Sequence, residues 1–82
     1  MNYKDIVIKS DLRYFRVQAG LTQRQLADEV GCSSYMIQLL ESDKAYPNIK
    51  LAYAIAMVIG EHLEYRILPT LIFKNLSLYY SN

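Results

Sequence analysis

Cysteine and histidine are almost absent from this chain, with Cys32 and His62 the only residues of their types. A single cysteine cannot form an intrachain disulfide, and two such residues do not make a cysteine- or histidine-based zinc site. We therefore expect no metal and no other cofactor. A lone thiol is typical of a reduced, cytoplasmic compartment. We interpret Cys32 as a small apolar residue packed in a turn, with a redox sensor as the alternative.

The chain also has no excess of charge of one sign, because nine basic and eight acidic residues give a net charge of +1. This balance argues against a basic nucleic-acid tail or a membrane-surface segment, but it is compatible with a compact DNA binder whose few cations share one face. Long hydrophobic runs are missing too. Residues 1–10 have too short an apolar run for a signal peptide, and Lys74 and Asn75 interrupt the last one. We expect a cytoplasmic, nucleoid-associated protein without a membrane partner.

Catalytic patterns are missing as well. The sequence contains no plausible Ser/His/Asp arrangement, no glycine-rich phosphate loop and no carboxylate cluster with metal-ligand spacing. No enzyme is expected. The 82 residues, 52% of them hydrophobic and 21% charged, suit one small globular domain instead.

Helix punctuation recurs along the first sixty residues. Polar residues that favour helix starts stand at Thr22, Ser33 and Asn48, and Thr22 with Gln25 fits a capping box. The three glycines are predicted helix ends: Gly20, Gly31 and Gly60. These signals predict four helices, the first of which has an uncertain start at Asp5 or Ser10, with residues 6–8 as a possible short strand.

The pattern changes after Gly60. Leu63, Tyr65 and Ile67 alternate with polar residues, which favours a strand over a helix, although Leu63 and Ile67 are also four apart. Residues 70–73 are a candidate second strand. Whether residues 61–82 form strands or a helix stays open.

Residues 22–42 combine a short helix, a tight turn and a second short helix. Ala27 is small where two helices cross, Gly31 supplies the positive φ of the turn, and Ile37 and Leu40 anchor the second helix from below. Together these features specify a helix-turn-helix unit.

Residues 12–60 resemble the Xre/Cro/lambda-repressor family of phage and bacterial regulators. The resemblance rests on these residues: Leu12, Arg13, Phe15, Arg16, Gly20, Leu21, Thr22, Gln23, Gln25, Leu26, Ala27, Gly31, Ser33, Ile37, Leu40, Glu41, Lys44, Pro47, Leu51, Ile55, Ala56 and Gly60. It implies an all-α, four- to five-helix DNA-binding domain over residues 12–60, followed by a C-terminal extension over residues 61–82. It also implies that the helix at residues 33–42 enters the major groove.

The face of that helix turned to DNA follows from helical geometry. At about 100° per residue, Tyr35, Gln38 and Leu39 lie about 160°, 100° and 200° from the buried direction of Ile37. Ser33 and Ser34 lie at the helix N-terminus, where backbone donors point outward. We predict base contacts by four residues: Ser34, Tyr35, Gln38 and Leu39. Tyr35 and Leu39 are alternatively an apolar surface for packing or for a protein partner.

The resemblance also implies backbone contacts and a structural pair. The N-terminus of the second helix is expected on the DNA backbone, so Gln23 is a phosphate candidate. The other phosphate candidates are Arg24, Ser33, Lys44 and Asn48, for which a solvated surface group or a cap is the alternative. The family places residues such as Arg16 and Glu41 in contact, which we interpret as an ion pair that orients the recognition helix.

This sequence departs from the family in two ways. Residues 33–42 contain no Arg or Lys, and Asp43 stands where a glycine is often found after the recognition helix. Residues 12–60 carry only five basic side chains, so few phosphates can be neutralised and modest affinity is expected.

The sequence thus predicts a homodimeric, repressor-like regulator that binds double-stranded DNA at a palindromic operator. The predicted dimer interface comprises Leu63, Tyr65, Ile67, Leu71 and Phe73. Two alternatives stay open: an antitoxin-type module that binds a partner toxin and its own promoter, and a protein adaptor that keeps only the scaffold.

Overall fold

The computed structural model describes residues 9–74, which form five helices joined by short turns. The helices are α1 (Leu12–Gln18), α2 (Gln23–Val30), α3 (Ser34–Glu41), α4 (Ile49–Leu63) and α5 (Pro69–Ile72). Within that range the chain forms no strand, only an isolated antiparallel bridge between Ser10 and Phe73. The predicted all-α class is confirmed. None of the five described helices is long and apolar enough to cross a bilayer.

Side-chain caps fix the starts of three helices. At α2 the backbone N–H of Gln25 donates to Thr22 Oγ1 at 3.0 Å, and the Gln25 side chain accepts in return from the Thr22 N–H at 2.9 Å. Ser33 caps α3, and Asn48 caps α4 through a bond of 2.8 Å from the Leu51 N–H. The predicted capping box and both other caps are confirmed. Such caps are each worth about 1 kcal/mol.

The start of α1 is tied down differently. The Ser10 hydroxyl accepts from the backbone N–H of Leu12 at 3.0 Å, immediately before the helix. The helix begins at Leu12 with Asp11 as its N-cap residue, one position after Ser10, which was one of the two predicted caps. The other candidate start, Asp5, and the strand considered at residues 6–8 lie outside the described residues.

Left-handed backbone conformations separate the helices. Gly20 and Gly31 have φ values of 74° and 91°, and Gly31 ends α2 as predicted. Asp43, the residue in the family's glycine position, adopts a φ of 61° after α3. Its carboxylate Oδ1 accepts from the backbone N–H of Ser10 at 2.8 Å. Aspartate is among the few residues that tolerate this region, and this hydrogen bond helps to hold it there.

One hydrophobic core joins all five helices. Its residues are at most 8% exposed: Leu12, Leu21, Leu26, Ala27, Ile37, Leu40, Ala52, Ile55, Ala56, Ile59, Ile67, Ile72 and Phe73. Each fully buried large aliphatic or aromatic side chain contributes about 1.5–3 kcal/mol of hydrophobic stabilisation. The helix-turn-helix is therefore held by a core that extends well beyond residues 22–42.

The prediction for the segment after Gly60 is wrong in two respects. α4 does not end at Gly60 but continues to Leu63, and Glu64 closes it with a φ of 64°. Residues 64–68 then form a turn rather than a strand, and α5 occupies the second predicted strand. The period-two alternation wrongly predicted a strand. Leu63 is the last residue of α4, and Ile67 reaches the core only after the chain has turned back.

Gly60 makes this reversal possible. A Cβ atom at Gly60 would lie 2.9 Å from the carbonyl oxygen of Tyr65 and 3.5 Å from the nitrogen of Ile67. The returning chain therefore crosses α4 directly over this glycine, and Gly60 is a close-contact residue rather than a helix end.

The C-terminal part of the described chain also completes the core. Ile67, Ile72 and Phe73 are buried, and the backbone N–H of Asp11 donates to the carbonyl of Ile72 at 2.7 Å. A boundary after Gly60 therefore does not separate the core from the extension. A chain truncated there loses three core residues, so we expect it to unfold rather than to become a folded monomer.

Replacing Gly60 with alanine introduces a methyl group that would overlap a backbone oxygen, which cannot move without displacing the turn, at a cost of about 1–3 kcal/mol. The gain in helix propensity, about 1 kcal/mol, offsets part of this cost, so we expect a net destabilisation of up to about 2 kcal/mol. Urea or thermal unfolding measures it, with Asp28→Ala at an exposed position of α2 as the control. An unchanged or higher melting temperature for Gly60→Ala would contradict the close contact.

Candidate nucleic-acid interface

α2 and α3 form the helix-turn-helix unit through a turn of three residues. The backbone N–H groups of Gly31 and Cys32 both donate to the carbonyl of Ala27, at 2.8 and 3.0 Å. Ser33 then starts α3, so the two helices are separated only by residues 31–33. The turn is short and two of its N–H groups bond to the end of α2, which restricts the angle between the helices.

Burial decides which face of α3 points away from the protein. Ile37 and Leu40 are buried against the core, and Met36 packs partly against it. On the other side Ser34 and Gln38 are exposed, and Tyr35 is 65% exposed. Three of the four candidate base contacts are thus available on one outward face.

Leu39 differs from these three residues because its side chain is half-buried. The end of α3 beside it is closed by Ser42, whose hydroxyl donates to the carbonyls of Gln38 and Leu39 at 2.9 and 3.2 Å. Leu39 therefore lies at the edge of the outward face rather than at its centre.

A charged network joins α1, α2 and α3 beneath this face. Arg16 Nε donates to Glu41 Oε2 at 2.5 Å and Arg16 Nη2 to Oε1 at 3.1 Å, a bidentate pair. Arg16 Nη1 also donates to the carbonyl of Leu21 at 2.8 Å. The Arg16 and Glu41 side chains are only 12% and 6% exposed. The pair holds the C-terminal end of α3 against the end of α1.

Gln23 joins the same network, which sequence reasoning missed. Its amide Nε2 donates to Glu41 Oε1 at 3.2 Å, and the residue is half-buried. A primary amide has two N–H donors, so one remains after this bond. The sequence around Gln23 does not predict this contact, because Glu41 lies eighteen residues further along the chain.

The remaining phosphate candidates lie at helix starts or in loops. Arg24 and Lys44 are exposed. Ser33 and Asn48 use a side-chain oxygen as an acceptor for their helix caps. Because a serine hydroxyl and an asparagine amide also carry donors, each cap leaves a hydrogen-bond donor at an exposed helix start.

The predicted dimer residues divide into two groups. Tyr65 and Leu71 are exposed, and Leu63 is half-buried against the core. Ile67 and Phe73, by contrast, are 5% and 1% exposed because they fill the chain's own core. These two residues cannot supply a surface for a second copy unless the core opens, which corrects that part of the prediction.

The single cysteine and the single histidine of the chain both contact other parts of the fold. Burial raises the pKa of the Cys32 thiol, so the reactive thiolate is disfavoured. This agrees with its interpretation as a packing residue in the turn. His62 lies on α4, where its Nε2 is 2.8 Å from Glu29 Oε2 of α2.

Arg16→Ala should lower the free energy of unfolding by about 3–5 kcal/mol, because it leaves the nearly buried Glu41 carboxylate without its cation. That is a large part of the total stability of a typical small domain, about 5–15 kcal/mol. Arg13→Ala, an exposed arginine on the same helix, is the matched control and should change stability by less than about 0.5 kcal/mol. Equal melting temperatures for the two variants would refute a structural role for the pair.

Comparison with known proteins agrees with this architecture. A helix-turn-helix family model matches residues 12–66, two-thirds of the chain. An uncharacterized HTH-type transcriptional regulator of Archaeoglobus fulgidus is 39% identical over 57 residues, which cover 70% of this chain and 81% of the relative. A regulator of the same description from Methanocaldococcus jannaschii is also 39% identical over 57 residues, 70% of this chain and 86% of the relative.

A third such regulator, from Methanothermobacter thermautotrophicus, is 41% identical over 54 residues, 65% of this chain and 78% of the relative. These relatives are archaeal, whereas the sequence resemblance pointed to phage and bacterial proteins. The family model and these relatives match most of the region that contains the capped helices and the three-residue turn. The chain therefore belongs to the helix-turn-helix family of transcriptional regulators, in the Xre/lambda-repressor-like branch.

Proposed function

We propose that this protein is a sequence-specific DNA-binding repressor that acts as a homodimer on a palindromic operator, with α3 in the major groove. The observation that carries the proposal is the division of α3 into two faces. Ile37 and Leu40 fix the helix on the core, whereas Ser34, Tyr35 and Gln38 face outward. A helix held in this way presents side chains at a constant angle, which base recognition requires.

The chemistry of the outward face suits a base edge. The amide of Gln38 can donate and accept at once, and this pattern matches the N6 and N7 atoms of adenine. Ser34 bonds to several bases, and Leu39 at the edge of the face suits the methyl group of thymine. Tyr35 adds a large exposed ring with a hydroxyl at its tip. Because this face has no guanidinium, the proposal favours sites rich in A·T pairs.

The DNA backbone would be held mainly by neutral donors. Gln23, Ser33 and Asn48 supply side-chain donors at three helix starts, and Arg24 and Lys44 add two exposed cations. Neutral donors release no counterions when they bind phosphate, so the affinity should depend weakly on salt. Such a repressor works in the cytoplasm at its operator on the chromosome.

The homodimer is proposed because a single copy is expected to bind DNA weakly. One α3 helix with few cations reads a short site, whereas two copies on one duplex bind as a linked unit. Two-fold symmetry sets the recognition helices about 34–36 Å apart, one turn of DNA. Tyr65 and Leu71 support this proposal because both are large, apolar and exposed.

Tyr35→Ala and Gln38→Ala should each weaken binding to the specific site by about 1–3 kcal/mol while leaving the melting temperature unchanged. The reason is that both side chains are exposed on α3. A mobility shift with the protein's own upstream DNA, in the presence of competitor DNA, measures the effect. Tyr14→Ala on α1 is the matched control, since Tyr14 is exposed to a similar extent.

If both α3 variants bind the site as well as the parent, α3 is not the reading element. The cation-free α3 and its exposed tyrosine would then support the alternative of a protein adaptor. Residues 61–74 contain a helix end, a turn and α5 rather than the predicted strands, so they add no support for the antitoxin alternative.

A further inference from the structure

α4 carries an exposed apolar stripe that the proposed DNA interface does not use. The α4 stripe consists of Ile49, Tyr53 and Met57, which lie at successive four-residue intervals on one face of the helix. All three are at least half exposed, and Met57 reaches 64%. The opposite face of the same helix holds Ile55 and Ile59 in the core. One helix thus has an inner and an outer apolar face.

An open groove of about 560 Å³ runs beside the stripe. One wall is α4, with Tyr53 and Met57, and the other is the returning chain, with Tyr65 and Leu68. The groove exists because the chain crosses α4 at Gly60, where it approaches the helix to 2.9 Å from an ideal Cβ position. Tyr65 and Leu68 are also more than half exposed. The apolar surface therefore extends from the stripe across the groove, which is more than scattered single residues.

Charges at the two ends of the stripe indicate what covers it. Lys50 is exposed at the start of α4, and Glu61 is exposed near its end. The two residues are separated by about three helical turns, so they lie on the same side of the helix to within about 20°. Their midpoint coincides with the midpoint of Tyr53 and Met57, near residue 55 in both cases. Both charges lie about 60–80° around the helix from Tyr53. The surface is thus apolar at residues 53–57 and is flanked on one side by a cation towards the helix start and an anion towards its end, while Ile49 continues the apolar stripe beside Lys50.

Such a surface is complementary to itself when it is turned by 180°. We propose that two copies of this chain associate through the α4 stripe and its groove, with their α4 helices antiparallel about a two-fold axis near residue 55. In this arrangement Tyr53 faces the partner's Met57, and Lys50 faces the partner's Glu61. Each contact then occurs twice, as a two-fold interface requires. Antiparallel helix dipoles favour the same orientation.

This inference rests on the homodimer in the proposed function and names its surface. The sequence predicts a dimer interface within the extension, whereas the interface proposed here consists of the α4 stripe together with Tyr65 and Leu68. Ile67 and Phe73 take no part in it because they are buried in the core.

Sedimentation of the full-length chain without DNA tests the surface. The parent should be a dimer at tens of micromolar, and Met57→Glu should weaken association at least about tenfold, because two carboxylates would be buried at the apolar centre. Tyr53→Glu repeats the measurement at the neighbouring position. Val17→Glu, an exposed apolar residue of α1, is the matched control and should remain a dimer. Circular dichroism and melting temperature check that each variant is folded.

Charge reversal tests the antiparallel register. Glu61→Lys places lysines opposite each other twice and should weaken the dimer about tenfold. Adding Lys50→Glu to the same chain should restore association to near the parent value. A double variant that stays as weak as Glu61→Lys would overturn the register.

The outcomes separate this inference from the proposed function. A folded Met57→Glu dimer that still binds its operator would overturn the α4 surface and leave the regulator intact. A parent that dimerises through α4 but fails to bind specific DNA would support the surface and refute the repressor. A parent protein that is a monomer at tens of micromolar would overturn the inference.

Discussion

The orientation of α3 depends on the pair between Arg16 and Glu41. Packing of Ile37 and Leu40 buries one face of α3, but apolar contacts alone leave a helix free to slide or to rotate slightly. The guanidinium of Arg16 removes this freedom because its fork meets two carboxylate oxygens and a carbonyl at fixed angles. Its third partner is Leu21, just before α2, so one side chain sets three segments relative to each other.

Gln23 links this constraint to the surface. Its amide contacts the same carboxylate from the first residue of α2, where the proposed contact with the DNA backbone lies. A nearly buried charge is costly unless it is fully paired, and Glu41 accepts three hydrogen bonds here. The network therefore satisfies the carboxylate and at the same time places a donor at the helix start. Stability and the geometry of the proposed DNA-binding surface depend on the same atoms.

The sequence was informative wherever local chemistry decides the structure. The caps at Thr22, Ser33 and Asn48 and the turn at Gly31 were all predictable, because each depends on residues within four positions. The outward face of α3 followed from helical periodicity and one buried anchor. Asp43 was recognised only as a departure from the family. The sequence did not predict its left-handed backbone. Nor did it predict the hydrogen bond between Asp43 and Ser10, because these residues lie far apart in the chain.

The failures have a common physical cause. Glycine often ends a helix, so the sequence predicts a helix end at Gly60, but here the glycine allows a backbone crossing that only the tertiary fold creates. Ile67 and Phe73 are predicted on a dimer surface because the extension carries more apolar side chains than a four-helix core is expected to cover, but both are buried in the chain's own core. Apolar residues look the same in sequence whether they cover their own core or a partner. Only the path of the chain decides between the two.

The bridge between Ser10 and Phe73 has a consequence for folding. It joins points near the two ends of the described chain, whereas the contacts between α2 and α3 are local. Local contacts form fast and long-range closure costs loop entropy, so we expect docking of α5 beside Ser10 to be a late step of folding. A covalent link across this point would remove much of the disorder of the unfolded chain. The backbone N–H of Lys74 donates to the carbonyl of Lys9 at 2.9 Å, so a covalent cross-link between these two positions would need little rearrangement of the native fold.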